Sequence, residues 1–158
     1  MERLHEGDPC PDFALPDARG ATVSLSDLKG APFVLYFYPK DDTSGCTSEA
    51  KAFSAATGDF AEIGVAVLGV SPDGVASHAK FAAKHGITVP LLADEDKALI
   101  GALGLWVEKS MYGRRYMGVE RTTILFDENA LARRIWSKVR VPGHVQEVLE
   151  AARQLPRG

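Results

Sequence analysis

Six consecutive apolar or aromatic residues, Phe33-Val34-Leu35-Tyr36-Phe37-Tyr38, stand immediately before Pro39. The run is short and has no polar alternation, so it reads as a strand buried on both faces. After it the period changes. Cys46, Ala50, Phe53 and Thr57 recur at helical spacing, with Gly58 expected to end that helix. Val65 to Val70 reads as a second buried strand. Ser71-Pro72-Asp73 opens a helix that runs to His85-Gly86, with Gly86 as its cap. A short helix is expected from Asp94 to Leu103. Arg121 to Asp127 and Leu131 to Val139 read as two strands joined through Glu128-Asn129-Ala130, a hairpin-length link. Val145, Val148, Leu149 and Ala152 mark a last helix, with Pro142 near its start. Ahead of all this, turn formers such as Pro16-Asp17 and Arg19-Gly20 bracket Phe13-Ala14-Leu15 and Val23-Ser24-Leu25, the pattern of a small N-terminal hairpin.

Strands alternating with helices imply parallel, right-handed crossovers, and the closing strand pair makes the sheet mixed. The expected fold is α/β, a mixed central sheet flanked by helices with an N-terminal β-hairpin, in the thioredoxin-like order. The 158 residues suit one domain spanning 1–158. Hydrophobic residues make up 46% of the chain and charged residues 25%, enough for an ordinary core. The net charge of −3, with no basic run, argues against nucleic acid as a partner. No apolar run approaches a membrane span, and the N-terminus has no signal-peptide pattern, so a cytoplasmic protein is expected. Two cysteines do not make a disulfide scaffold. His5, His78, His85 and His144 have no ligand spacing with either cysteine, so no metal or other cofactor is expected. Trp106 and Trp136 read as packing residues, with lining of the site mouth as the alternative for Trp106.

One of the two cysteines, Cys46, sits at the opening of a helix that follows a buried strand and a proline turn. That step places the first helical turn at the carboxyl end of the sheet, where open α/β sheets bind ligands. Unpaired N–H groups there favour a thiolate, and the thiolate is the nucleophile. Thr43, three residues earlier, is placed to cap the helix or to hold a group that the sulfur attacks. Thr43-Ser44-Gly45-Cys46 has the spacing of a C-x-x-C dithiol with threonine in the first slot, which argues against disulfide exchange within the motif. Asp41 and Asp42 would oppose a thiolate, so they are expected to point to solvent.

The segment Tyr36-Phe37-Tyr38-Pro39-Lys40-Asp41-Asp42-Thr43-Ser44-Gly45-Cys46-Thr47 resembles the active-site segment of peroxiredoxins, whose signature is Pro-x-x-x-Thr-x-x-Cys. The resemblance is to the Q-type, or bacterioferritin-comigratory, subgroup. It extends through Gly7-Asp8, Pro11-Asp12-Phe13, Val67 to Ser71, Leu92 to Glu95, Trp106 to Gly113 and Glu120-Arg121-Thr122-Thr123. It implies a thiol-dependent peroxidase without metal, haem or flavin, acting in antioxidant defence on hydrogen peroxide and organic hydroperoxides. Cys46 would be the peroxidatic cysteine, oxidised to sulfenic acid. Thr43 would hold the peroxide. Arg121 would stand near the sulfur and polarise the developing charge. Pro39 would shield the site, and Glu49 would orient the arginine.

The chain departs from that pattern in its resolving cysteine. Q-type members commonly carry it five residues after the first, where Lys51 stands here, or in the second helix near Phe81-Ala82. The other thiol is Cys10. The sulfenic acid is then reduced directly by thioredoxin, glutaredoxin or a small thiol, or is resolved by Cys10 of the same chain or of a second chain. The direct route is favoured, in a monomer or weak homodimer. Cys10 otherwise reads as a structural thiol. The competing class is a thioredoxin-fold binding or chaperone module whose cysteine is inert.

Overall fold

A computed structural model describes residues 3–156. The chain forms, in order, β1 (Ala14–Pro16), β2 (Thr22–Ser24), α1 (Leu25–Leu28), β3 (Phe33–Phe37), α2 (Ser44–Ala55), α3 (Thr57–Glu62), β4 (Ala66–Ser71), α4 (Val75–His85), β5 (Leu91–Ala93), α5 (Ala98–Ala102), β6 (Trp106–Met111), β7 (Arg114–Val119), β8 (Thr122–Phe126), β9 (Ala132–Trp136) and α6 (His144–Arg153). The central sheet has the order β5-β4-β3-β8-β9. β3, β4 and β5 pair in parallel, whereas β8 and β9 run antiparallel. The mixed sheet with helices on its faces is the thioredoxin-like arrangement that the order of elements implies. β1 and β2 form the N-terminal hairpin.

All five residues of β3 are buried, as a central strand with both faces covered requires. Strand parity then divides the core. Val34 and Tyr36 pack with Val67, Leu91 and Leu125 against Cys46, Phe53, Phe60, Phe81 and Val148. Phe33, Leu35 and Phe37 pack on the other face with Leu68, Val70, Ile124, Phe126, Leu99, Ile100 and Cys10. Each large side chain so buried contributes about 1.5–3 kcal/mol. Gly69 lies opposite Tyr36 in the β3–β4 register, and a Cβ there would stand 2.7 Å from the tyrosine ring. Only glycine leaves room for that ring over β4.

Several boundaries differ from the sequence reading. Gly58 does not end the helical region. The chain breaks at Ala56 and continues as α3, because Phe60 is buried and the Thr57 hydroxyl donates to the Ser54 carbonyl at 2.5 Å across the break. The short helix expected from Asp94 starts later, at Ala98, after Lys97 takes a left-handed conformation with φ 58°. β5 and the β6–β7 hairpin were not expected. That hairpin closes through Tyr112 and Gly113, with φ of 52° and 78°. Two successive positive φ values are what a two-residue primed turn needs. No helix among the described residues is long and apolar enough to cross a membrane.

Candidate active site

β3 delivers the chain to Tyr38 and Pro39, and the loop that follows turns it into α2. Thr43 is extended, with φ −90° and ψ 155°, and occupies the position before the first helical residue. Its carbonyl accepts the Thr47 N–H at 2.8 Å, the first bond of the helix. Its hydroxyl does not cap the helix; it donates to the Lys40 carbonyl at 3.0 Å and so tightens the loop. Cys46 is the third helical residue, in the turn whose N–H groups have no carbonyl ahead of them.

The cysteine faces inward and is only 1% exposed. Arg121, just ahead of β8, reaches it. Its Nη2 donates to Cys46 Sγ at 3.1 Å, and its Nη1 donates to Glu49 Oε1 at 2.6 Å. One guanidinium thus spans two side chains of the same α2 face, in the fork geometry that arginine offers and lysine does not. Burial opposes the charge on Arg121, but Glu49 and Cys46 outweigh it and hold the guanidinium above its ordinary value. Burial pushes the Glu49 carboxyl up to about 7, against the pull of Arg121. Gly45 keeps the approach open, since a Cβ there would stand 3.3 Å from Arg121 Nη2.

The structure therefore brings Cys46, Glu49 and Arg121 together, with Thr43 one turn earlier and half-buried Pro39 at the head of the loop. Cys10 is elsewhere. It packs in the cluster on the opposite face of the sheet from Cys46, and its Sγ donates to the Pro11 carbonyl at 3.4 Å. Burial, then Asp12, pushes its thiol up to about 12.

One expectation is overturned. Asp41 does not point to solvent; it is 7% exposed. Its carboxylate accepts from the Tyr38 hydroxyl at 2.6 Å and the Ser77 hydroxyl at 2.8 Å, and faces His78 Nδ1 at 2.7 Å. Burial works against its charge, but these partners prevail and hold the carboxyl below its ordinary value. Asp42 is exposed as expected, yet is not free: Lys84 Nζ and His85 Nε2 of α4 each lie 2.7 Å from its carboxylate. The sequence carried one unused signal, since His78, Phe81 and His85 recur at helical spacing and the first two are buried. Lys109 on β6 was also missed. Burial, then Arg121, lowers its ammonium below the ordinary value, and Cys46 acts the other way, so it belongs to the same electrostatic neighbourhood. Among the described residues no group of three or more His, Cys, Asp or Glu is arranged to hold a metal ion.

Comparison with known proteins adds an independent line. The sequence pattern of the AhpC/TSA family matches residues 6–134. A Coxiella burnetii protein of the peroxiredoxin Bcp name is 45% identical over 146 residues, covering 92% of this chain and 97% of its own. Peroxiredoxin Bcp of Bacillus subtilis is 43% identical over 149 residues, covering 94% and 95%. A solved structure of the Xanthomonas campestris bacterioferritin comigratory protein, in a trapped intermediate/ligand complex bearing on alkyl peroxide reduction, superposes with a TM-score of 0.84 at 40% identity, covering 89% of this chain and 90% of that one. A strand–loop–helix step that buries a cysteine against an arginine, carried on this sheet and in this sequence, makes the chain a member of the AhpC/TSA family, a peroxiredoxin of the Q or bacterioferritin-comigratory type.

Proposed function

We propose that this chain, acting as a single domain, reduces hydrogen peroxide and alkyl hydroperoxides through Cys46. The observation that carries the reading is the 3.1 Å contact from Arg121 Nη2 to Cys46 Sγ in the first turn of α2. The Cys46 thiolate attacks the terminal peroxide oxygen. Charge then builds on the oxygen that leaves, and the guanidinium and the helix N–H groups are preorganised donors for it. Thr43, whose hydroxyl is exposed at the loop, holds the peroxide. Pro39 shields the site, and Glu49 fixes the arginine.

Cys46 becomes a sulfenic acid and a thiol restores it. Cys10 belongs to the opposite side of the sheet, and Lys51 and Ala82 supply no sulfur, so an external thiol performs this step directly. Thioredoxin, glutaredoxin and small thiols are the donors that fit, in the reducing cytoplasm, with the protein a monomer or weak homodimer. The test is to add one equivalent of hydrogen peroxide and trap the product with a dimedone-type probe. Fast labelling of Cys46, absent from Cys46→Ser, is expected. A reaction no faster than that of free cysteine would overturn the reading.

A further inference from the structure

Glu49 is enclosed more completely than an arginine-orienting carboxylate needs to be. Its side chain is 1% exposed, Oε1 accepts from Arg121, and Oε2 has no hydrogen-bond partner. It stands three residues after Cys46 on the same face of α2, and one guanidinium bonds both. Among the described residues, Arg121 from ahead of β8 contacts both members of this pair, while Lys109 of β6 acts on Cys46 and the Tyr36 hydroxyl of β3 feels both. His144 of α6 acts on Arg121, and Asp41 of the loop on Tyr36. Burial keeps the Tyr36 hydroxyl far above its ordinary value, hence neutral, and lowers His144 toward the neutral imidazole. Asp41 is engaged by Tyr38, Ser77 and His78. One cation in direct contact, Arg121, therefore serves two acids, and a buried anion without its own cation is strongly penalised.

We propose that Cys46 and Glu49 share one proton over Arg121, and that Glu49 carries it while the sulfur is a thiolate, then gives it to the oxygen expelled from the hydroperoxide. The inference rests on the reading of Cys46 as the peroxidatic residue. The free oxygen, Oε2, is the site of the proton. The thiolate attacks the terminal oxygen of ROOH, the S–O bond forms and the O–O bond breaks. The terminal oxygen keeps its hydrogen, giving sulfenic acid and RO⁻. Cys46 loses two electrons and the peroxide gains two. RO⁻ takes the proton from Glu49 and leaves as ROH, and ionised Glu49 becomes the one anion opposite Arg121. Reduction by thiol returns Cys46–SH, so the pair again holds a single proton. Burial that pushes the carboxyl up to about 7 suits a group that must both hold and release a proton near neutrality.

Glu49→Gln separates this role from orientation. The amide oxygen still accepts from Arg121 Nη1, but no proton can be exchanged. Rates of Cys46 oxidation would be measured against pH with ethyl hydroperoxide and with peracetic acid. Ethoxide needs a proton as it leaves; acetate does not. The expected result is a loss of about 10²-fold for ethyl hydroperoxide, little change for peracetic acid, and disappearance of the pH limb near neutrality. Equal retention of both rates would overturn the inference and leave the peroxidase reading standing. A wild-type protein inert to both oxidants would overturn the peroxidase reading itself, and the inference with it. Should the variant not fold, infrared spectroscopy of the wild type decides. A protonated carboxyl band in the reduced protein at neutral pH must vanish on oxidation, and its absence or persistence would overturn the proton store.

Discussion

At the scale of single residues, the arginine fork makes the sharpest demand. Arg121 satisfies Cys46 and Glu49 from two nitrogens of one rigid plane, and a lysine ammonium cannot reproduce that span. Arg121→Lys should slow sulfenic acid formation by about 10²–10³-fold, the usual loss when a preorganised donor at developing charge is removed. Stopped-flow kinetics with hydrogen peroxide would check this, and a loss under about threefold would assign the fork a structural role. Glu49 adds a pH signature. With its carboxyl pushed up to about 7, the folded chain keeps a proton that the unfolded chain has already released. Stability therefore falls as pH rises from about 4.5 to about 7, by an amount on the order of 1–3 kcal/mol, and levels off above. Urea denaturation across that range should show this downward contribution in the wild type and lose it in Glu49→Gln, whose stability should then rise or hold as pH increases, as the lowered His144 requires.

At the scale of elements, the active-site loop is tied to α4 rather than hanging free. Asp41 binds Ser77 and His78, its N–H donates to Asp73 at 2.8 Å, and Asp42 meets Lys84 and His85. These bonds fix the stretch that aims Cys46. Asp41→Asn removes a buried carboxylate that Tyr38, Ser77 and His78 all engage, and should cost roughly 1.5–3 kcal/mol by chemical denaturation at neutral pH. The folded carboxyl lies below its ordinary value, so its contribution is complete above about pH 4 and is lost as pH falls through the folded value. The acid limb of wild-type unfolding should accordingly flatten in the variant; an unchanged limb would mean that His78 does not hold the carboxylate. The burial of Asp41 was not legible from sequence, because a carboxylate in a polar loop carries no mark of burial, and its partners lie 36 and 37 residues away. The β6–β7 hairpin escaped for a related reason: Tyr112-Gly113 is a poor match to the Asn-Gly signal, although both residues take the positive φ of such a turn. β3 and α2 were legible because their own residues, six apolar in a row and then a helical stripe beginning at Cys46, decide their environment.

At the scale of the whole molecule, the sheet separates the two thiols, and the helix that carries Cys46 bears on the thiol step of the proposed function. Cys10, in the segment ahead of β1, packs in the cluster on one face of the sheet and Cys46, on α2, in the cluster on the other, a relation that spacing in sequence cannot express. Lys51 bears on the missing resolving cysteine more directly. It lies five residues after Cys46, on the exposed side of α2. Five residues along a helix rise about 7.5 Å and turn about 140°, which sets the two Cα atoms about 8.6 Å apart. A disulfide needs less than about 7 Å, so a cysteine at this position can reach Cys46 only if the first turns of α2 unwind. The restraints on unwinding are on the Cys46 side: the bond to Arg121, the buried Glu49 and the loop tied to α4. On the proposed function, conversion of Cys46 to a sulfenic acid changes the group that Arg121 bonds, which loosens the first of these. Lys51→Cys should therefore form an intramolecular disulfide after one equivalent of peroxide, read as loss of both thiols at positions 46 and 51 by mass spectrometry, with a drop in helical circular dichroism. The wild type, under the same conditions, should hold a sulfenic acid until an external thiol arrives. If the variant kept two separate thiols, or lost them with its helix intact, α2 would not be the element that moves, and direct attack on a folded site would be the only route by which this chain is restored.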